Sequence, residues 1–148
     1  MGRARAGVTV PGPLAEVEGL WLDPARWPAW RDGLAAVVRR DPAWPALGAR
    51  IDWESPPSGR GPVRERVVLY APGAGHAVEV EDERLEGRQA VGFALTADGQ
   101  VRVTLELDYR LKDGRRIADV LYHRHVLAAS LSRTLARFAA ERRADTAR

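Results

Sequence analysis

Few residues of this chain could carry acid–base or metal chemistry. Its 148 residues include three histidines and no cysteine. The lack of cysteine excludes disulfide bonds, thiol nucleophiles and cysteine-ligated zinc sites. His123 and His125 lie two positions apart in a predicted helix, where side chains point about 200° apart, so they cannot chelate one metal ion. His76 follows a glycine-rich loop at the start of a predicted strand. We therefore expect no metal site and no cofactor.

Two charged residues lie on faces that are otherwise apolar. Glu65 shares the strand phase of Val63, Val67 and Leu69, and Arg124 falls near the middle of the apolar stripe of the predicted C-terminal helix. An unpaired buried charge is very costly, so one hypothesis is that Glu65 and Arg124 meet inside the protein, as a pair or as an anchor for a polar ligand group. The alternative is that a bulge reverses the phase of Glu65, or that Arg124 extends to solvent.

The chain has five tryptophans, which is many for its length. Aromatic side chains bury a large area, and they serve equally as core residues and as walls of ligand pockets. We assign Trp21 and Trp27 to the core. Trp30 and Trp53 are the better candidates for lining a pocket.

Alternation of apolar and polar residues predicts a series of short antiparallel strands. They cover residues 3–10, 34–39, 48–53, 62–70, 76–82, 91–95 and 101–109. The last two form a hairpin. A two-residue Asp-Gly turn would pair Leu95 with Arg102, whereas a three-residue loop with Gly99 in the left-handed conformation pairs Leu95 with Val101 and keeps one face apolar. We expect the following side chains on the concave face: Phe93, Val103, Leu105 and Tyr109.

Helices are predicted at both ends of the chain. One follows Pro13, and a second, capped by Asp23, is expected to end near Pro28. A long helix from about residue 115 to 141 carries an apolar stripe. The stripe contains Ile117, Leu121, Ala128, Leu131, Leu135 and Phe138. Residues 142–148 are expected to form a frayed tail. The length predicts a single domain, residues 1–148.

This order of elements resembles the START-like (SRPBCC) superfamily, specifically its polyketide cyclase/dehydrase and lipid-transport group. The resemblance rests on three segments: Asp23…Trp27-Pro28-Ala29-Trp30, Gly48-Ala49-Arg50-Ile51 and Leu131-Ser132-Arg133-Thr134-Leu135. It implies an α+β helix-grip fold, in which a curved antiparallel sheet of about six to seven strands surrounds a long C-terminal helix, with two short helices near the N-terminus. The resemblance fixes no reaction, since a fold hosts many functions.

A curved sheet with one helix laid across it does not easily fill the space between them, which predicts a cavity. The residues expected to line it are Trp30, Trp53, Glu65, Val67, Phe93, Val103, Leu105, Tyr109, Arg124 and Ala128. The favoured function is binding of a hydrophobic small molecule, a lipid or polyketide-like compound, by a carrier or binding protein. One alternative is a cyclase/dehydrase-type enzyme, in which an apolar cavity would raise the pKa of Glu65 for proton transfer. The other is a protein- or RNA-binding module with a filled core.

Composition places limits on partners and location. The net charge is +3 and the pI about 9.9, but the arginines are scattered rather than striped, which does not favour nucleic acid. No apolar run approaches the roughly 20 residues of a membrane span, and no signal peptide is evident. We expect a cytoplasmic monomer or homodimer.

Overall fold

A computed structural model describes residues 2–112 and 117–148, without the side chains of residues 117–122. The chain begins with β1 (Gly2–Val10), α1 (Leu14–Trp21), a 3-10 turn (Pro24–Arg26) and α2 (Trp27–Trp30). Six strands and one helix follow. They are β2 (Ala36–Arg40), β3 (Arg50–Glu54), β4 (Pro62–Ala71), β5 (Gly75–Glu81), β6 (Leu85–Leu95), β7 (Val101–Leu111) and α3 (Ile117–Thr146).

The seven strands form one antiparallel sheet in the order β1-β7-β6-β5-β4-β3-β2. The long helix α3 lies mainly against β1, with further contacts to β7, α1 and α2. The predicted helix-grip fold is confirmed. The inner face of the sheet is therefore covered by α3 on the β1 side and by the aromatic residues of α1 and α2.

The β6–β7 hairpin confirms the predicted register. Leu95 pairs with Val101 and Phe93 with Val103. Gly99 has a φ of 79°, the left-handed conformation that the three-residue loop requires. The apolar sets of both strands consequently lie on the inner face, where Phe93, Val103 and others are buried.

Alternation also separates the two faces of β4. Val63, Glu65 and Val67 are buried on the inner face, whereas Arg64 and Arg66 are exposed on the outer face. The outer arginines pair across to β5, Arg66 with Glu79 at 2.7 Å and Arg64 with Glu81. The only irregularity between β4 and β5 follows Val67, so no bulge reverses the phase of Glu65.

The helical segment after Asp23 is short, as predicted, and it ends at Trp30. Asp23 does cap the turn, since its side chain accepts a hydrogen bond from Ala25 N at 3.1 Å. However, Pro28 is the second residue of α2, which continues to Trp30. A proline is tolerated in the first helical turn because its missing N–H has no partner there.

The middle of α3 is held by the loop after α2. Ser130 donates a hydrogen bond to Asp32 at 2.7 Å, and Arg133 and Arg137 bond to the same carboxylate at 3.0 and 3.2 Å. Asp32 N in turn donates to Thr134 Oγ1 at 2.9 Å. These bonds fix α3 from residue 130 onward.

The C-terminal helix extends closer to the end of the chain than we expected. The helix continues to Thr146, and Arg142 is only 3% exposed. Its guanidinium donates hydrogen bonds to Pro11 O at 3.0 Å and to Gly12 O at 2.8 Å, and it pairs with Glu16. The prediction of a frayed tail from Arg142 is therefore wrong. The expected helix start near residue 115 lies outside the described residues, as do the side chains of Ile117 and Leu121.

We predict that Arg142→Met lowers the free energy of unfolding by about 2 kcal/mol, because two backbone carbonyls lose a charged donor. Urea denaturation followed by circular dichroism measures this. Arg143→Met is the matched control, since Arg143 is exposed and makes a single long bond to Thr9 O. Equal effects of the two substitutions would contradict the anchoring role of Arg142.

Candidate functional site

A buried ion pair lies on the inner face of the sheet. Glu65 is 3% exposed, and its Oε2 accepts hydrogen bonds from Arg31 Nη2 at 2.7 Å and from Trp53 Nε1 at 2.9 Å. Arg31 Nη1 approaches Glu65 Oε1 at 3.4 Å. The carboxylate therefore binds the guanidinium through both of its oxygens, an arrangement that fixes both side chains.

Aromatic rings hold Arg31 in this position. Its guanidinium carbon lies 4.3 Å from the ring centre of Trp27 and 5.2 Å from that of Trp53. Trp53 also contacts a second cation, Arg60, at 5.4 Å, and Arg60 pairs with the buried Asp82 at 2.6 Å. Cation–π contacts of this kind strengthen when the groups are shielded from water.

The pKa of Glu65 is lowered rather than raised. Burial acts to raise it, but the charge of Arg31, the hydrogen bonds from Arg31 and Trp53, and the charge of Arg60 together outweigh burial. The expectation of a raised pKa for proton transfer is wrong, because the sequence did not reveal the partner cation. Glu65 is an ionised hydrogen-bond acceptor at neutral pH.

His76 lies close to this pair and is also buried. Its Nε2 is 3.1 Å from Pro45 O, to which it can only donate, and its ring packs against Trp44 and Tyr70. Burial lowers the pKa of His76, an effect that the Pro45 carbonyl and the charge of Glu65 only partly oppose. The ring is thus neutral, with Nδ1 available as an acceptor.

A small space remains beside these groups. Its volume is about 20 Å³. Three indole rings form one wall, those of Trp21, Trp27 and Trp44, and the ion pair and His76 form another. The sheet contributes Val78, Gln89 and Val91. Gln89 is half-buried, as is Gly87 on the same face of β6. This volume suffices for about one water molecule.

The predicted pairing of Glu65 with Arg124 is wrong. Arg31, which follows α2, is the cation that binds Glu65. Arg124 is exposed, and its charge acts on Tyr109 at the opposite side of the inner face. Burial raises the pKa of Tyr109, and Arg124 offsets only part of this effect. The Tyr109 hydroxyl has no hydrogen-bond partner of good geometry among the described residues.

The other predicted site residues lie in or beside the core. Most are fully buried, namely Trp30, Trp53, Val67, Phe93, Val103 and Leu105, and Ala128 of α3 packs partly buried against them. Trp30 stacks with Trp21 and Phe138 between α1, α2 and α3. Of the predicted set, the space described above directly contacts Glu65 alone.

Besides apolar residues such as Trp44 and Val78, sequence reasoning left three polar residues that contact this space out of the predicted site, namely Arg31, His76 and Gln89. Arg31 directly follows the Trp27–Trp30 segment, so a cation beside clustered tryptophans was the available signal. No sequence signal pointed to Gln89, because β6 was predicted to begin only at residue 91. His76 was considered alone, without the neighbours that bury it.

A second concavity, of about 1120 Å³, lies on the outer face of the sheet. Charged side chains of β2 to β6 line it. Arg39, Arg40 and Arg50 have no ion pair among the described residues, and Arg50 lies directly opposite Arg66 in the register. The part of the chain that the structure describes contains no group of three or more histidine, aspartate or glutamate side chains placed to hold a metal ion. No described helix is long and apolar enough to cross a membrane.

The chain belongs to the polyketide cyclase / dehydrase and lipid transport family, whose profile matches residues 1–142. No curated protein sequence matches the chain. Solved structures share its fold at low identity. A START superfamily protein from Mycobacterium smegmatis has a TM-score of 0.74 and 11% identity over 94% of this chain and 97% of the other. A protein of unknown function from Staphylococcus aureus has a TM-score of 0.76 and 8% identity, covering 99% and 98%.

The di-domain ARO/CYC StfQ of the steffimycin biosynthetic pathway has a TM-score of 0.74 and 18% identity. The match covers 99% of this chain and 52% of StfQ, so this chain spans about half of that protein. At these identities the likeness shows the helix-grip fold alone.

We predict that stability falls as the pH drops below 6.5, the ordinary pKa of histidine. Because the pKa of His76 is lowered in the folded state, the unfolded chain takes up the proton first, and each pH unit costs up to about 1.4 kcal/mol until the folded pKa is reached. Urea denaturation between pH 7.5 and 5 measures the slope. His76→Gln should flatten it, and exposed His125→Gln should not. Equal slopes in the wild type and in both variants would contradict the assignment of the pH dependence to His76.

Proposed function

We propose that this chain binds a hydrophobic small molecule between the inner face of the sheet and α3, as a carrier or binding protein. The observation that supports this most strongly is the Arg31–Glu65 pair beside a space with tryptophan walls. A buried ion pair contributes little net stability, because desolvation consumes much of the attraction. A polar group of this kind on an apolar face is what fixes the orientation of a ligand in a hydrophobic pocket.

The space must enlarge when a ligand binds. Pockets for small molecules measure roughly 300 Å³ or more, whereas about 20 Å³ is present here. The half-buried Gln89 marks a place where the inner face is incompletely covered. The hydrogen bonds to Asp32 fix α3 from Ser130 onward.

The enzyme alternative receives less support from the site. A general acid must carry a proton at the working pH, and Glu65 is held ionised by Arg31. The tyrosine hydroxyl at Tyr109 is a donor that could orient a carbonyl, as an aromatase/cyclase-like reaction would require. The likeness to the ARO/CYC protein StfQ keeps the enzyme alternative open. To test it, Tyr109 rather than Glu65 is the residue to substitute first.

The second candidate is a partner-binding module with a filled core. Trp30, Trp53 and Phe93 are packed in the core, and the outer-face arginines Arg39 and Arg50 lack ion pairs among the described residues. Such a module would bind an anionic surface, and its affinity would fall steeply with salt. It requires no enlargement of the interior, which is the feature that separates it from the first candidate.

Naphthalene serves as an uncharged probe of the interior, with binding measured by equilibrium dialysis. We predict saturable binding to the wild type and at least a tenfold loss in Gln89→Trp, because the larger side chain occupies the space. Arg88→Trp is the matched control, since residue 88 is the exposed neighbour on the outer face of the same strand. Native mass spectrometry of the gently purified protein tests for a ligand that copurifies.

Two results would contradict the proposal. One is that naphthalene shows no saturable binding and that native mass spectrometry also detects no copurified compound. The other is an equal loss of binding in Gln89→Trp and Arg88→Trp, with both proteins folded by circular dichroism. Either result would favour the filled core.

A further inference from the structure

The concavity on the outer face of the sheet lies on the side opposite to the interior space. Its volume of about 1120 Å³ is close to that of a pocket for a small molecule. Charged side chains of β2 to β6 form most of its lining. The kind of molecule that it can bind therefore depends on which of these charges the protein already neutralises.

The glutamates of this concavity are already bound by cations. Three of them lie on β5 and β6, and they form the pairs Glu79–Arg66, Glu81–Arg64, Glu81–Lys112 and Glu86–Arg110. The carboxylate of Glu65 is directed to the inner face, where Arg31 binds it. The lining consequently offers no glutamate that is free to bind a cation.

The arginines of the concavity are in excess. Four of them have no ion pair among the described residues, namely Arg39, Arg40, Arg50 and Arg88. Two aspartates remain to oppose them. Asp41 accepts a hydrogen bond from Ala43 N at 3.0 Å, and Asp52 lies between Arg39 and Arg64 in the strand register. An excess of two positive charges is thus left on the lining, mainly at its β2–β3 edge.

Two of the arginines at this edge face each other. Arg50 of β3 lies directly opposite Arg66 of β4 in the register. Like charges in directly opposite positions destabilise a sheet, because the side chains are close together on one face. Glu79 offsets the charge of Arg66 from the β5 side, whereas no described carboxylate pairs with Arg50. An anion bound beside Arg50 would remove this repulsion.

We propose that the outer-face concavity binds a small phosphorylated molecule, whose phosphate oxygens are held by Arg39, Arg40 and Arg50. A guanidinium presents a planar set of N–H donors that matches two oxygens of a phosphate, and the excess of positive charge suits an anion with more than one charge. This inference goes beyond the proposed function, because it concerns the opposite face of the sheet and a different class of ligand.

Two features favour a small ligand over a strand of nucleic acid. Among the described residues, no aromatic side chain lines the concavity, so nucleic acid bases would have no ring on which to stack. The glutamates of β5 and β6 also place carboxylates in the path of a long polyanion that crosses the face. A compact phosphate at the β2–β3 edge avoids these carboxylates.

Isothermal titration calorimetry with inorganic pyrophosphate, in the absence of divalent cations, tests this proposal. We expect saturable binding at one site and at least a tenfold loss of affinity in Arg50→Gln, because a charged bidentate donor is removed. Arg5→Gln is the matched control. It removes the same charge from an exposed arginine on the outer face, but Arg5 is on β1, outside the concavity. The control should keep the wild-type affinity.

Thermal unfolding of the same variants separates a loss of binding from a loss of folding. Without pyrophosphate, Arg50→Gln should melt no lower than the wild type, because it relieves the repulsion with Arg66. Arg39→Gln is a second variant at the exposed edge strand, and it should also weaken pyrophosphate binding. Naphthalene should bind Arg50→Gln as it binds the wild type, so the failure of this site would leave the proposed function intact.

Three results would overturn the outer-face site. The first is that pyrophosphate shows no saturable binding. The second is an equal loss of affinity in Arg50→Gln and Arg5→Gln, which would indicate attraction to the net charge alone. The third is that vesicles containing phosphatidic acid, or a single-stranded oligonucleotide, bind through Arg50 while pyrophosphate does not. This last result would identify a lipid surface or a nucleic acid as the partner instead of a small soluble phosphate.

Discussion

The buried carboxylate of Glu65 constrains much of the interior. Its strand phase places it on an apolar face, so it requires a cation and hydrogen-bond donors that are themselves shielded from water. Arg31 and Trp53 meet that requirement, and Trp27 holds Arg31 from the other side. The end of α2 is thus linked to β3 and β4 through one charged group, and Trp27 and Trp53 lie on either side of Arg31.

The helix α3 divides into two parts by its contacts. From Ser130 onward, arginines and a serine bind Asp32, and near the end Arg142 binds the carbonyls of Pro11 and Gly12. The turns before Ser130 include Arg124, His125 and Val126, which are exposed. The C-terminal half of α3 is thus held against the loop after α2 and against the segment after β1.

A filled interior and a binding function are compatible in a protein of this family. About 20 Å³ is present beside the ion pair, so a ligand must replace contacts between protein groups with contacts of its own. Closed packing protects the tryptophans and the ion pair from water in the absence of ligand.

The sequence by itself determined the order of elements and the β6–β7 register, because period-two alternation and turn chemistry are local properties. It also placed Glu65 in phase with apolar neighbours, but it left open whether a bulge reverses that phase. It also indicated the family through the Trp27–Trp30 segment. Only the tertiary structure decided that Arg31 and not Arg124 neutralises Glu65 and that Arg142 is buried. Each of these depends on contacts between residues far apart in the chain, whose geometry no local pattern encodes. The size of the interior space is likewise set by how side chains from many elements pack together.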